Sequence, residues 1–241
     1  MSEPGNEIVL RADGVGKRFG GFTALSGINL QVRAGERLGL IGPNGSGKST
    51  FTNCLAGAFP SHDGGFTFKG QKLAGLKSHE RARRGLARTF QLPRPFRGLS
   101  VIDNIRVPLA YAGRDAATDE RAMECLESVE LAGKASRMPK ELTQVELRRL
   151  ELARATALRP ELLIADEAMA GLSHTEVDQI LALLFRLNEG GTTIIMIEHV
   201  MRAVTEFSQR IAVLVAGKKV ADGDPRTVLS MPEVEEAYLG R

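Results

Sequence analysis

Gly42-Pro43-Asn44-Gly45-Ser46-Gly47-Lys48-Ser49-Thr50 is the most specific motif in this chain. It matches the pattern G-x-x-x-x-G-K-[S/T], and it lies between a short apolar run at 37–41 and a helical pattern at 50–58. Glycines are needed there because a side chain would keep backbone N–H groups from closing around phosphate oxygens. A buried strand, a glycine-rich loop and a helix in this order predict a phosphate-binding loop over residues 42–50.

The last residues of this loop carry specific chemistry. Lys48 is expected to bridge the β- and γ-phosphates of a nucleoside triphosphate, and Ser49 to offer its hydroxyl to Mg²⁺. Thr50 is expected to begin the following helix, while residues 42–47 form the loop that holds the phosphates, through the backbone N–H groups of all of them except Pro43, which has no N–H. The loop therefore predicts a site for ATP together with Mg²⁺.

A second element has to hold the metal and activate water. The run Leu162-Leu163-Ile164-Ala165-Asp166-Glu167 is typical of a buried strand that ends in two carboxylates. Asp166 is expected to bind Mg²⁺ through a water molecule, and Glu167 to polarise the attacking water as a general base. An Asp-Glu pair alone is weak evidence, but together with the loop it predicts a hydrolytic site.

The rest of the chain predicts an α/β architecture. Residues 8–33 are expected to form short strands, because Ile28, Leu30 and Val32 alternate with polar residues, and residues 61–75 are expected to form further strands and turns. Helical spacing runs over 118–158, with a capping-box pattern at Thr143 and Glu146. Two buried strands at 162–165 and 193–197 flank a leucine-rich helix. These patterns predict a parallel sheet with an antiparallel β layer in front and a helical insertion.

Composition excludes several classes of protein. Of the 241 residues, 43% are hydrophobic and 25% are charged, as in ordinary globular domains, and no apolar run approaches the roughly 18 residues that cross a bilayer. The first seven residues have no basic start followed by an apolar stretch, so we expect no secretory signal and a cytosolic site of synthesis. Cys54 and Cys125 are too few for a zinc cluster and are expected to be packing residues.

The net charge of +3 hides an uneven distribution. Residues 69–106 contain ten basic residues against Glu80 and Asp103, a net charge of +8. Such a segment is typical of a nucleic-acid site, an anionic lipid surface, a phosphate site or a merely solvated face. The composition of the segment leaves these alternatives open.

Taken in order, the motifs resemble those of the nucleotide-binding subunit of an ATP-binding cassette (ABC) transporter, and the resemblance covers nearly the whole chain. Phe19 in Lys17-Arg18-Phe19-Gly20 stands where the family places an aromatic ring that stacks on adenine. Gln91 matches the family glutamine that senses the γ-phosphate and Mg²⁺, and His199 matches the switch histidine that contacts the γ-phosphate. The resemblance implies that Gln91, Glu167 and His199 are the catalytic residues, and that Ser49, Gln91 and Asp166 form the metal site.

The same resemblance implies the architecture. It predicts a P-loop NTPase fold with a RecA-like parallel-sheet core, an N-terminal antiparallel β subdomain and a helical subdomain at about 95–160. Residues 1–241 would form a single ATP-binding domain.

Further motifs resemble the ATPases of branched-chain amino acid (Liv-type) importers, including systems for amides or urea. Those motifs are Gly85-Leu86-Ala87-Arg88-Thr89-Phe90-Gln91, the tail at 211–224 and the ending Glu235-Glu236-Ala237-Tyr238-Leu239-Gly240. The implied partners are a second ATPase subunit, two transmembrane permease subunits and, indirectly, a solute-binding protein. The implied location is the cytoplasmic side of the inner membrane, peripheral through the permeases. A lipopolysaccharide-export ATPase is the alternative transporter.

One motif departs from the family pattern. The signature Leu-Ser-Gly-Gly-Gln is replaced by Leu142-Thr143-Gln144-Val145-Glu146. In the family, this motif contacts the γ-phosphate of ATP held by the opposite subunit, and Val145 adds a steric cost of about 1–3 kcal/mol there if the geometry is kept. In a homodimer both sites would carry the altered motif, whereas in a heterodimer only the partner's nucleotide would face it. Liv-type importers commonly use two different ATPases, so the resemblance favours the heterodimer. Ser173 stands where the family has Asp or Asn, and Ser173 and His174 are candidates for the dimer interface.

Two further functions compete with transport. A non-transport ABC ATPase that acts on nucleic acid would use the basic segment, but the segment lacks the interleaved exposed aromatic residues of a single-strand binder, so we expect no nucleic-acid partner. A regulatory cassette that binds ATP and hydrolyses it weakly would account for the altered signature. The intact Lys48, Asp166, Glu167 and His199 favour hydrolysis.

Overall fold

The front of the molecule is an antiparallel sheet. The computed structural model describes residues 7–112 and 118–239, so residues 1–6, in which no signal is expected, and Gly240 lie outside the described part. The sheet has the strand order β2-β1-β4-β5. Its strands are β1 (Ile8–Phe19), β2 (Phe22–Arg33), β4 (Asp63–Phe68) and β5 (Gln71–Lys72).

The first two strands are longer than the sequence predicts. Residues 8–33 form two strands of 12 residues each, joined by a tight turn at Gly20-Gly21 in which Phe19 faces Phe22. Bulges interrupt the register between Ala12 and Val15, where Gly14 has φ +59. Because a bulge bends a strand without ending the pairing, irregular spacing in the sequence does not divide the hairpin into short strands.

A mixed sheet lies behind this layer and carries the phosphate loop. Its order is β10-β9-β3-β8-β7-β6, with parallel pairing throughout except for the antiparallel pair β9 and β10. The carboxyl ends of β3, β7 and β8 lie close together at one edge, which is where ligands bind in such sheets. The strands are β3 (Arg37–Ile41), β6 (Leu86–Arg88), β7 (Leu162–Asp166), β8 (Thr193–Ile197), β9 (Arg210–Val215) and β10 (Lys218–Gly223).

Helices connect and cover these strands. Short 3-10 helices lie at Ala132–Lys134 and Pro139–Glu141. Within the described residues the α-helices are α1 (Lys48–Ala56), α2 (Ser78–Arg83), α3 (Val101–Ala112), α4 (Asp119–Ser128), α5 (Gln144–Thr156), α6 (His174–Glu189), α7 (Met201–Phe207), α8 (Pro225–Leu229) and α9 (Pro232–Leu239).

The capping box predicted at Thr143 and Glu146 is confirmed. The Thr143 hydroxyl accepts from the Glu146 amide at 3.4 Å, and Glu146 Oε2 accepts from the Thr143 amide at 2.9 Å. Ser173 and Glu176 begin α6 in the same way, with the Ser173 amide 2.8 Å from Glu176 Oε2. Each box satisfies backbone groups that a helix start leaves unpaired, so the start of each helix is fixed by its local sequence.

Hydrophobic packing on both faces of the parallel sheet fixes its position. Leu162 and Ile164 of β7 pack with the antiparallel sheet and with Phe51 of α1, whereas Leu163 and Ala165 pack under the helices. This alternation buries both faces, as is usual for parallel sheets. Cys54 and Cys125 are buried free thiols, which confirms their role in packing. No helix among the described residues is long and apolar enough to cross a membrane.

Candidate functional site

The phosphate loop joins the end of β3 to the start of α1. Gly42, Gly45 and Gly47 have φ values of +149, +78 and +105, which non-glycine residues rarely adopt. A Cβ at Gly42 would lie 2.1 Å from the Leu214 carbonyl oxygen. Glycine is therefore required by backbone conformation, and at Gly42 also by a direct clash.

Lys48 points back into this loop. Its ammonium donates to the carbonyl oxygens of Gly42 at 2.6 Å and Pro43 at 3.0 Å. Burial lowers the pKa of Lys48, against the attraction of the Glu167 and Asp166 carboxylates. The Ser46 hydroxyl is also buried and has no hydrogen-bond partner among the described residues. A buried cation and an unpaired hydroxyl beside the amides of a helix start fit a phosphate group.

Asp166 ends β7 and is held by the neighbouring strand. Its Oδ2 forms an ion pair with Arg88 Nη2 at 2.6 Å, and its amide lies 3.1 Å from the Thr89 hydroxyl. Arg88 Nη1 also donates to Asn53 Oδ1 of α1 at 2.5 Å. The carboxylate therefore has a fixed orientation between β6 and the phosphate-loop helix.

Three predicted catalytic residues come together around Glu167. Gln91 Nε2 donates to Glu167 Oε2 at 2.5 Å, and His199 Nε2 lies 3.2 Å from Glu167 Oε1. Glu167 has φ +47, and its amide donates to the Ile197 carbonyl at 2.8 Å, so the backbone turns sharply after β7. Side chains from three separate segments thus meet at one carboxylate.

Two cavities meet at Ser49. One, of about 250 Å³, is lined by residues 44–50 together with Phe22, Glu167 and His199. The other, of about 620 Å³, is lined by Ser49, Gln91 and Asp166 among others. The hydroxyl, amide and carboxylate that the sequence assigns to Mg²⁺ therefore face one space, and oxygen donors of this kind fit that ion. The described residues contain no separate cluster of His, Cys, Asp or Glu that could hold a metal.

Phe19 lies apart from the loop cavity. Its ring is 47% exposed and contacts the Phe59 ring edge-on, with 5.5 Å between centroids. Lys17 Nζ lies 5.3 Å from the centroid of Phe19. Phe22, across the hairpin turn and 64% exposed, lines the loop cavity instead. Sequence reasoning overlooked Phe22, although an aromatic residue just after a Gly-Gly turn was a visible signal.

The altered signature motif begins α5. Glu146 completes the capping box and also pairs with Lys134 at 2.5 Å. Burial raises the pKa of Glu146, but the hydrogen bonds from Lys134 and Thr143 outweigh it and hold the pKa below its usual value. Val145 is partly buried and packs against the hydrophobic core under the helices. The start of α5 is thus stabilised by its own carboxylate.

Arg148 and Glu198 are buried charged residues that sequence reasoning did not single out. Arg148 donates to the carbonyl oxygens of Gln91 and, at 3.2 Å, Ala170. Glu198 Oε1 accepts from the Met169 amide at 2.8 Å, and burial raises the pKa of Glu198 to about 7. In the sequence each of them looks like an ordinary charged surface residue, because the segments that bury its side chain are distant along the chain.

Sequence relatives identify the family. The family model described as ABC transporter matches residues 25–170. The high-affinity branched-chain amino acid transport ATP-binding protein BraF of Pseudomonas aeruginosa is 36% identical, over 100% of this chain and 99% of BraF. The corresponding protein LivG of Escherichia coli K12 is 37% identical with the same coverage.

Solved structures agree with the sequence relatives. MJ1267, an ATP-binding cassette of an ABC transporter in its ADP conformation, has a TM-score of 0.90 and 28% identity over 98% of this chain and all of its own. A dimer of the ATP-binding cassette MJ0796, bound to ADP and Pi after hydrolysis, has a TM-score of 0.81 and 28% identity, covering 90% of this chain and 99% of that one. The predicted family and fold class are therefore confirmed, and the chain belongs to the ATPases of the ABC transporter family.

Proposed function

We propose that this chain is the ATP-hydrolysing subunit of an importer for branched-chain amino acids or related amides. Full-length similarity to BraF and LivG supports the cargo class. The proposal that the chain hydrolyses ATP rests on the position of Glu167. Its carboxylate contacts both Gln91 and His199 and lines the same cavity as the phosphate loop. In this proposal residues 1–241 act as one ATP-binding domain, with a helical subdomain at about 95–160.

The residues divide the reaction between them. Lys48 and the backbone N–H groups of the loop residues other than Pro43, which has none, bind the β- and γ-phosphates. The family resemblance assigns the adenine to Phe19, whose ring lies outside the loop cavity and is exposed enough to stack on a base. Glu167 accepts a hydrogen bond from the attacking water, which bonds to the γ-phosphorus as the bond to the ADP oxygen breaks. His199 contacts the γ-phosphate. Gln91 lines the large cavity and donates to Glu167, so its side chain is proposed to link that cavity to the nucleotide site.

Ser49, Gln91 and Asp166 would hold Mg²⁺, the last through a water molecule. Bound there, the ion would supply positive charge to the phosphate oxygens. The ion pair between Arg88 and Asp166 keeps that carboxylate oriented toward the cavity that it shares with Ser49.

Replacing the proposed general base tests hydrolysis. Glu167→Gln is expected to lower turnover about 100-fold or more at saturating Mg-ATP, while affinity for ATP changes little, because the side chain keeps its size but no longer polarises water. Glu189→Gln, an exposed substitution at the end of α6, is the matched control. Wild-type protein that binds ATP without hydrolysing it, alone or with its copurifying partners, would favour the regulatory cassette instead.

The nucleotide site is proposed to form in a heterodimer. Dimerisation is supported by the dimeric MJ0796 structure. The self-capped start of α5 and the branched Val145 make this chain a poor contact for a partner's γ-phosphate. A partner with an unaltered signature would complete one fast site and leave one impaired site. Changing the loop lysine to alanine should then reduce turnover much more in one subunit than in the other, and equal losses would contradict the asymmetry.

The permease subunits are proposed to dock at the cavity of about 620 Å³. The exposed apolar residues Phe90 and Leu92 line it together with Arg88, Arg94 and Arg154. The chain would thereby lie at the cytoplasmic side of the inner membrane, and a solute-binding protein would act through the permeases. Identification of the copurifying proteins, with uptake assays for branched-chain amino acids, tests the cargo. Copurification with lipopolysaccharide-export subunits would contradict amino acid import and favour the export ATPase instead.

Phe90 and Phe96 are exposed, so the expectation that the basic segment at 69–106 lacks exposed aromatic residues is wrong. The pairing of its charges nevertheless gives little support to a nucleic-acid function. Arg81 is buried against backbone carbonyls, and Arg88 pairs with Asp166. Lys69 pairs with Glu161, and Arg106 pairs with Asp103 and Asp119. Several of the basic residues behind the net charge of +8 are therefore paired with groups of the chain itself. A salt-dependent shift of nucleic acid by the purified protein would contradict this interpretation.

A further inference from the structure

The segment that follows Glu167 is held from two sides by buried charged side chains. Glu198 Oε1 accepts from the Met169 amide at 2.8 Å, and Arg148 Nη2 donates to the Ala170 carbonyl at 3.2 Å. Glu198 is 2% exposed and Arg148 is 4% exposed. The two contacts fix consecutive residues, so this turn cannot shift without breaking one of them.

Arg148 also reaches the segment that carries Gln91. Its Nη1 donates to the Gln91 carbonyl oxygen, while the Gln91 side chain donates to Glu167 Oε2 at 2.5 Å. One guanidinium therefore bonds to the backbone on both sides of the site, namely at Gln91 and at Ala170. Because Glu167 lies between these two points, the contacts form a closed ring through Arg148, Gln91, Glu167 and Ala170.

The buried charge of Arg148 is balanced by backbone carbonyl groups. No carboxylate lies within ion-pair distance of it among the described residues, and its Nε is buried without a hydrogen-bond partner there. Burial lowers the pKa of Arg148, opposed by the more distant Glu198, Glu151 and Glu167. A buried cation is expensive to desolvate, and the hydrogen bonds that offset this cost for Arg148 go to the backbone on the two sides of Glu167, at Gln91 and Ala170.

We infer that Arg148 is a positioning residue for hydrolysis: it ties α5 to the Gln91 and Ala170 backbones and so holds the Gln91 amide against Glu167. The inference rests on the proposed function, because it assigns Arg148 a part in orienting the same carboxylate. Arg148 does not touch substrate in this role. It acts through Gln91 and through the turn after β7.

Arg149 provides a matched control on the same helix. It too is a largely buried arginine, but it pairs with Glu130 at 2.8 Å and with Gln179 at 2.9 Å, away from the loops around Glu167. Arg148→Met and Arg149→Met remove the same charge from neighbouring positions. A general loss of stability would affect both variants, whereas a loss of positioning would affect only the first.

The first experiment measures ATP turnover and ATP affinity of the full chain with its copurifying subunits. Arg148→Met is expected to lower turnover at saturating ATP about tenfold or more, with affinity changed less than about threefold, and Arg149→Met to leave both near wild type. Arg148→Lys keeps a donor and should recover part of the loss. Equal turnover in Arg148→Met and Arg149→Met would overturn the inference, as would a loss confined to affinity.

The second experiment is amide hydrogen exchange on the full chain without nucleotide. Arg148→Met, or Arg148→Lys if the first variant does not fold, should speed exchange at residues 89–92 and 168–172 but not in β8. Unchanged exchange at both segments would overturn the inference. This readout does not require ATPase activity, so wild-type protein that fails to hydrolyse ATP would count against the proposed function alone.

Discussion

Glu198 is a carboxylate whose direct partners are backbone amides. Burial, with a smaller contribution from the nearby Glu167 carboxylate, raises its pKa to about 7, although the amides of Met169 and His199 and the Arg148 guanidinium oppose the shift. The folded state thus holds a proton that the unfolded state releases at lower pH. The resulting stability is fully present below the unfolded pKa and is lost as the pH rises through the folded pKa.

Replacement of Glu198 by Gln removes this titration. Between about pH 5 and about pH 8, the free energy of unfolding of the wild type should fall by about 2–3 kcal/mol relative to Glu198→Gln. Chemical denaturation of the nucleotide-free protein at both pH values measures this difference. Glu189→Gln, on the exposed end of α6, should follow the wild type at both. Parallel pH curves for wild type and Glu198→Gln would contradict the buried titration.

Residues with a fixed motif were predictable, whereas buried charges were not. Asp166 and Glu167 were selected because a carboxylate pair follows an apolar strand, and Gln91 and His199 because their order matched a family; in the structure Gln91 and His199 both contact Glu167. Arg148 could not be found, because its neighbours at Gln91 and Ala170 lie 57 and 22 residues away. Only the folded chain distinguishes such an arginine from one on a solvated face.

At the scale of elements, Arg81 of α2 closes the end of α1. Its Nη1 donates to the carbonyl oxygens of Cys54 at 2.7 Å and Leu55 at 2.6 Å, in the last turn of the helix that begins at Lys48. Its Nη2 donates to the Leu73 carbonyl at 2.9 Å. A buried guanidinium thus takes the place of the water that would satisfy these carbonyls at an exposed helix end.

Removal of that guanidinium should destabilise the protein. Arg81→Met is expected to lower the free energy of unfolding by about 2–4 kcal/mol, because several buried carbonyl oxygens lose their donor while the side-chain volume is nearly kept. Urea denaturation checks this value. Arg97→Met, at an exposed arginine in the loop before α3, should cost less than about 0.5 kcal/mol. Equal costs for the two variants would show that Arg81 does not cap α1.

Element types followed from local sequence more reliably than element lengths. The capping boxes at Thr143 and Ser173 fix where α5 and α6 begin, because each uses side chains within one turn of the helix. The hairpin of β1 and β2 was expected as shorter strands, since its bulges disturb the alternation that marks a strand. Hydrogen bonding between β1 and β2, which cannot be seen in the sequence, continues past the bulges, so each strand is 12 residues long.

At the scale of the whole molecule, the sheet order places exposed apolar side chains at two opposite edges. β6 and β10 are the opposite edge strands of the parallel sheet. The cavity of about 620 Å³ is lined by residues of β6 and by Leu92, whose side chain is 73% exposed. Val220, on β10, is 38% exposed at the other edge. The proposed docking of permeases concerns only the first edge.

A charge placed at that edge should therefore separate assembly from ATP binding. Leu92→Glu is expected to reduce recovery of membrane subunits with the tagged chain about tenfold or more, because docking would bury an unpaired carboxylate. Val220→Glu introduces the same charge at the opposite edge and should leave recovery near wild type. ATP affinity of the isolated chain should be unchanged in both variants, since neither residue lines the cavity over the phosphate loop. Full recovery with Leu92→Glu would place the permease contact elsewhere on the molecule.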